Sequence, residues 1–192
     1  MTRNSPIRAI TTRYAGCAFR SRLEARWAVY FDHLGIKWDY EPEGFELGNG
    51  LRYLPDFWLP EFQLWVEIKP ATIDAMAAEK ARRLAHENHA VLILCGQPRA
   101  DAEFCGQLFC WDSKESSAGF SDAIPAGAFA DTADGLGFLV AGGCDNIYYS
   151  REFDFEMNTF GPKYPADWGR AEQAATAARS ARFEFGEKGG AK

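Results

Sequence analysis

Asp56, Glu67 and Lys69 are three ionisable residues set where the side chains of two neighbouring strands can converge. The aromatic-rich apolar runs 53–59 and 62–68 are separated by Pro60-Glu61, which predicts a hairpin. A two-residue loop there pairs positions whose numbers sum to 121, so Asp56 is expected opposite Trp65 and diagonal to Glu67. Side-chain alternation then puts Lys69 on the Glu67 face and Val66 and Ile68 on the other. Leu54, Trp58, Leu64 and Trp65 make both faces largely apolar, the pattern of a sheet covered on both sides. Two carboxylates and an ammonium are expensive in such a place unless they bind a cation, and hard oxygen ligands of this kind suit Mg²⁺ or Mn²⁺. Taken singly, each has a plainer reading: Glu67 and Lys69 as the solvated edge of a strand, Asp56 as a turn residue after a proline.

The elements that must hold these residues are legible from periodicity. Leu23, Trp27, Tyr30, Phe31 and Leu34 fall at helical spacing within 21–34, and Gly35 is a stop signal. Short strands are expected at 36–40 and 44–47, with Gly48-Asn49-Gly50 as a turn. After the hairpin, residues 72–87 carry Ile73, Met76, Ala77, Lys80 and Leu84 on one side, a second helix, and 90–95 is a strand buried on both faces. The expected class is α/β, with a central mixed sheet of four to five strands flanked by helices in the order αβββαβ. Beyond Gly96, a strand is expected at 108–111, a loop or flexible insertion over 112–137, one or two strands over 137–149 and an Ala-rich helix over 166–181. The tail 186–192 is expected to fray.

With 192 residues, 47% of them hydrophobic and 15% aromatic, the chain can bury one sizeable core and does not have a disordered composition. It divides into a core over 1–100 and an acidic C-terminal extension over 101–192 that either stands apart or completes the same domain. Residues 1–100 carry 13 Lys plus Arg against 12 Asp plus Glu, so the net charge of −6 arises in the second half, which carries 8 against 15. The acidity therefore leaves the first half open to a phosphate-bearing partner. No apolar run is long enough for a membrane helix and the N-terminus lacks a signal-peptide pattern, so no membrane is expected and the location expected is cytoplasmic. Five cysteines, an odd number, argue for reduced thiols. A zinc site through Cys105 and Cys110 with Cys144 or Cys95 fits no common spacing, and His86 and His89 sit at a helix end, so buried thiols are the better reading.

Pro55-Asp56 followed by Glu67-Ile68-Lys69, with Glu24 on the preceding helix, resembles the PD-(D/E)XK nuclease superfamily over roughly residues 18–96. The run from Phe19 to Pro70, with Tyr40-Glu41-Pro42 inside it, looks like the endonuclease subunit of heteromeric transposases and like small phage-encoded nucleases. The resemblance implies a restriction-endonuclease-like core and metal-dependent hydrolysis of DNA, in a phage, mobile-element, repair or defence context. It further implies catalytic roles for Glu24, Asp56, Glu67 and Lys69. Asp56, Glu67 and the backbone carbonyl of Ile68 would hold Mg²⁺ or Mn²⁺, Glu24 a second metal or a water on the metal, and Lys69 would orient the attacking water. The Gln-x-x-x-Tyr of some exonuclease branches is absent from the second helix, which favours an endonuclease over an exonuclease.

Arg20, Arg22, Arg26 and Lys80 are the candidates for nucleic-acid contacts, with solvated helix faces or snorkelling at a core edge as the bland alternative. Ser21 and Glu24 equally make a capping box. The competing function is a catalytically inactive nuclease-fold module for DNA binding or protein assembly. A homodimer, or a protein partner docking on the acidic second half near Tyr148, Tyr149, Phe153 and Phe155, is left open.

Overall fold

Ser21 starts the first long helix by a local device that its sequence spells out. Its backbone is extended and its hydroxyl accepts from the Glu24 N–H at 3.2 Å, the N-cap arrangement, worth ~1 kcal/mol. The helix ends where Gly35 turns left-handed at φ 71°, and Ile36 N–H closes back on the Phe31 carbonyl at 2.9 Å. The computed structural model describes residues 11–99, 106–110, 121–132, 135–142, 145–149 and 169–183.

The elements run β1 (Thr12–Tyr14), β2 (Cys17–Phe19), α1 (Arg22–Leu34), β3 (Asp39–Tyr40), β4 (Phe45–Glu46), β5 (Arg52–Tyr53), β6 (Phe57–Leu59) and β7 (Leu64–Lys69). They continue as α2 (Ala75–His86), β8 (Ala90–Cys95), β9 (Gly106–Cys110), β10 (Ser121–Thr132), β11 (Gly135–Gly142), β12 (Asp145–Tyr149) and α3 (Gly169–Ser180). The class is α/β. One mixed sheet has the strand order β12-β11-β10-β9-β8-β7-β6-β3. Five of its strands lie between Asp39 and Cys110, and β10 to β12 extend it further. β7 and β8 are parallel, joined through α2, and the other neighbours are antiparallel. β1–β2 and β4–β5 are separate two-stranded ribbons.

Residue parity divides the sheet into two buried faces. Val66, Ile68, Leu92, Leu94 and Leu108 pack with Trp27, Tyr30, Phe31 and Leu34 of α1 and with Ala174, Ala175 and Ala178 of α3. Trp65, Val91, Ile93 and Phe109 pack on the other side with Ala77, Ala81, Leu84 and Ala85 of α2. Glu67 and Lys69 share the parity of Trp65 and so lie on the α2 face. α3 sits against α1 through small residues, and Arg170 donates to the Leu34 carbonyl at 2.6 Å, satisfying one of the free acceptors at the end of α1.

Four expectations need correction. The hairpin turns over Pro60, Glu61, Phe62 and Gln63, and the register pairs Phe57 with Val66 and Trp58 with Trp65. A two-residue hairpin loop needs a positive φ at its first position, which the proline ring forbids. The longer loop places the positive φ at Gln63 (46°) and buries Phe62. The shift is by two residues, so every side chain keeps its face. Residues 53–59 are not one strand: Tyr53 ends β5 in the small ribbon and Phe57 begins β6 in the large sheet, with Pro55, lacking an N–H, between them. Met76 is not on the buried stripe of α2 but 56% exposed, because Asp74 caps the helix and sets Ala77, Ala81, Leu84 and Ala85 inward.

Finally, the span 112–137 contains β10, paired with β9 on one side and β11 on the other. Its Ser, Gly, Ala and Pro residues have low strand propensity. Pairing on both sides overrides that, with register shifts between Ser121 and Ile124 along β9 and between Ala126 and Phe129 along β11. The strands expected over 137–149 are β11 and β12. Residues 166–168 of the expected C-terminal helix, the tail 186–192, and Phe153 and Phe155 lie outside the described residues.

Candidate metal centre

Asp56 stands where β6 has not yet begun, and by the hairpin register it falls directly opposite Glu67. It is 3% exposed, with Oδ2 accepting from the Ile68 N–H at 2.7 Å and Oδ1 from the Arg20 guanidinium at 2.8 Å. The carboxylate thus takes the place of a missing strand residue. The N–H and C=O of one strand residue point to the same side, so the Ile68 carbonyl also faces the gap that Asp56 fills. Lys69, two residues on, donates to Glu67 Oε1 at 2.7 Å. Asp56, Glu67, the Ile68 backbone and Lys69 are therefore gathered at one place.

The electrostatics of this place favour a cation. Burial, then the charge of Glu67, push the Asp56 carboxyl up to about 8. The Ile68 N–H and the Arg20 charge pull it down but do not compensate, and the Glu24 charge adds to the upward push. Burial lowers the pKa of the Lys69 ammonium, but the hydrogen bond and charge of Glu67, with the charges of Asp74 and Asp56, leave it raised. Tyr53, 4% exposed, is held protonated far above its ordinary range by burial and by the charges of Glu67 and Asp56. The Tyr53 hydroxyl and Glu67 Oε2 are both buried and meet no partner at full hydrogen-bonding geometry, although a weaker hydrogen bond between Tyr53 and Glu67 adds to the rise at Tyr53. A buried carboxylate oxygen so weakly partnered is costly, and a hard divalent ion is one group that would satisfy it. Asp56, Glu67 and the Ile68 carbonyl fit such an ion as a set of oxygen donors. Among the described residues no group of three or more His, Cys, Asp or Glu side chains is placed to hold a metal ion, so a cation here would draw on Asp56, Glu67 and a backbone oxygen such as that of Ile68.

Glu24 is buried at 8% exposure and belongs to a neighbouring network. Oε1 accepts from the Ser21 hydroxyl at 2.6 Å, and Oε2 accepts from the Tyr40 hydroxyl at 2.5 Å and from the Arg20 N–H at 3.1 Å. The capping relation and the inward orientation expected of Glu24 thus coexist. Arg20 connects the two groups: its backbone binds Glu24, and its guanidinium pairs with Asp56 and Glu41. Glu41 is fixed by a left-handed backbone, φ 47°, and by its N–H on the Asp56 carbonyl at 3.0 Å.

A cleft of about 630 Å³ opens beside Glu67, with Arg20, Arg52, Tyr53, Leu54 and Lys80 among its lining residues. Lys80 lies 5.9 Å from the centre of the Tyr53 ring. Of the four proposed phosphate contacts, Arg20 and Lys80 line this cleft. Arg22 and Arg26 are half-buried on α1, and Arg26 Nε is buried without a partner. The thiols of Cys17 and Cys95 are free, and burial raises the Cys95 thiol although Lys69 opposes this. The side chains of Cys105, Cys110 and Cys144 lie outside the description.

Sequence reasoning missed Tyr53 and the bridging role of Arg20. Tyr53 had a signal, two residues before Pro55 on a strand leading to the site; Arg20 had none, because its partners are 21 and 36 residues away. Among the described residues no helix is long and apolar enough to cross a membrane. No family model, curated protein or solved structure matches the chain.

Proposed function

We propose that the chain is a metal-dependent DNA nuclease with a PD-(D/E)XK site, acting as an endonuclease in a phage, mobile-element, repair or defence setting. The observation that carries the reading is the pairing of Asp56 and Glu67 across the hairpin, with Asp56 on the Ile68 N–H and Lys69 on Glu67. The succession α1, β3, β6, β7, α2, β8 in and around the main sheet supports the restriction-endonuclease-like core that the sequence resembles.

In this reading Asp56, Glu67 and the Ile68 carbonyl would hold Mg²⁺ or Mn²⁺. The ion supplies a Lewis acid for the phosphodiester and offsets the charge that develops on it. Lys69 holds an ammonium beside Glu67, 24% exposed, where it can donate to an attacking water or to a phosphate oxygen. Trp65 and Tyr53, both buried on the face that carries Glu67, limit bulk water around the carboxylates, which strengthens each of these interactions. Glu24 accepts from the Arg20 backbone N–H and the Tyr40 hydroxyl, and so positions the residue whose guanidinium pairs with Asp56.

One observation favours the inactive-module reading: Arg20 already supplies a cation to Asp56. Incubating the protein, Lys69→Ala and Asp56→Ala with supercoiled plasmid and a labelled single strand, with Mg²⁺, Mn²⁺ or chelator, separates the two. Metal-dependent cutting by the unmodified chain alone supports the nuclease. A folded protein that neither cuts nor binds Mn²⁺ overturns it in favour of the inactive module.

A further inference from the structure

The three cations lining the cleft beside Glu67 are not equivalent. Arg20 is paired with Asp56 and Glu41, and Arg52 with Glu46 at 3.3 Å. Lys80 lies near the Tyr53 ring and, among the described residues, has no carboxylate in ion-pair contact. It is therefore the cleft cation with charge to spare for a phosphate. The same cleft carries apolar surface. Leu54, 40% exposed, is one of two exposed large hydrophobic residues among those described, and it stands two residues before Asp56. Phe45 is half-buried there, braced edge-on against Trp65 with ring centres 5.0 Å apart.

A duplex binder relies on many phosphate contacts and presents cations over a broad face. The half of the chain that carries the cleft is close to neutral, with 13 Lys plus Arg against 12 Asp plus Glu over residues 1–100, and two of the three cations in the cleft already have carboxylate partners. A site with one spare cation gains more from apolar and aromatic surface. The flat face of a base is open to stacking on such surface where it is not already stacked inside a duplex. We propose that this cleft takes an unpaired stretch of DNA, with a phosphate on Lys80 and bases against Phe45 and Leu54. The inference names the substrate form for the nuclease reading and rests on that reading for the chemistry at Asp56 and Glu67.

The test is fluorescence anisotropy of the full chain in chelator, with a labelled single strand and with the same sequence as duplex. The single strand should bind roughly ten-fold more tightly, as one stacked base provides. Phe45→Ala should lose about that factor for the single strand alone, and Leu54→Ser several-fold. Lys80→Ala should weaken both forms and flatten the salt dependence by about one unit of slope. Equal or tighter duplex binding, or an unchanged preference in Leu54→Ser, overturns the proposal. Leu54 is exposed, so this variant decides the matter even if Phe45→Ala fails to fold. The two readings fail separately: single-strand binding without metal-dependent cutting removes the nuclease alone, whereas cutting of duplex with no preference removes the unpaired substrate alone.

Discussion

Asp56 caps the strand that carries its partner: its Oδ2 accepts from the Ile68 N–H at 2.7 Å, one residue past Glu67. This bond fixes the distance between two carboxylates that would otherwise repel each other. It also sets a pH dependence. The folded-state pKa of Asp56, about 8, lies above the unfolded value near the ordinary carboxylate range of ~4. Between those limits the folded chain holds a proton that the unfolded chain has released, so stability falls as pH rises from about 4 to about 8 and levels off above. Thermal unfolding in chelator at a series of pH values should show this decline. Asp56→Asn should remove most of it, and a decline of the same steepness in that variant would refute the assignment to Asp56.

Divalent ions should reverse the effect. A cation on Asp56 and Glu67 favours both ionised carboxylates, so Mn²⁺ should raise the melting temperature most at high pH, where the metal-free site carries most unbalanced charge. Glu67→Gln should lose this response. A shift independent of pH, or one retained in Glu67→Gln, would place the ion elsewhere.

Lys69→Ala should reduce cleavage by about 10²- to 10³-fold, the usual cost of losing one donor aimed at developing charge. The fold should persist, because the side chain is partly exposed and its hydrogen bond in the structure is to Glu67. Single-turnover cleavage alongside circular dichroism checks both halves of this expectation.

Glu24 allows its structural and chemical roles to be separated. Glu24→Gln keeps an oxygen for the Arg20 N–H or the Tyr40 hydroxyl, so it should cost less stability than Glu24→Ala, which loses ~1 kcal/mol or more with the helix start. If Glu24 serves only the helix, Glu24→Gln will cut DNA normally. A loss of cleavage with an unchanged melting temperature would instead assign it to the reaction.

The face that carries the site was legible in the sequence, and the register was not. Parity alone put Asp56, Glu67 and Lys69 on one side, and a two-residue error in loop length left parity intact. The error mattered for distance, because it put Trp65 opposite Asp56 where Glu67 belongs. Pro60 held the correction, since its ring excludes the tightest hairpin turns. α1 and α2 were visible because capping and apolar periodicity act within a few residues. By contrast, the Arg20–Asp56 pair and the hairpin of β1 and β2 depend on the assembled sheet or on a two-residue turn at Ala15-Gly16. β10 was hidden for the same reason: its composition argues against a strand, and only its neighbours argue for one.

That dependence on neighbours makes the junction of β8 and β9 the most informative place to perturb. A Cβ at Gly106 would lie 2.1 Å from the Ile93 carbonyl oxygen, a backbone atom that cannot move without parting the two strands. Gly106→Ala should therefore destabilise by about 1–3 kcal/mol, as overpacking does. Phe129 of β10 is fully buried against Tyr30, Phe31 and Phe62, so Phe129→Ala should cost ~3–5 kcal/mol. Denaturant unfolding followed both by aromatic fluorescence and by backbone circular dichroism should give one coincident transition, shifted in each variant. Two separate transitions, with the α1 core unaffected by Phe129→Ala, would mean that the strands beyond Cys95 fold apart from the carboxylate-bearing sheet.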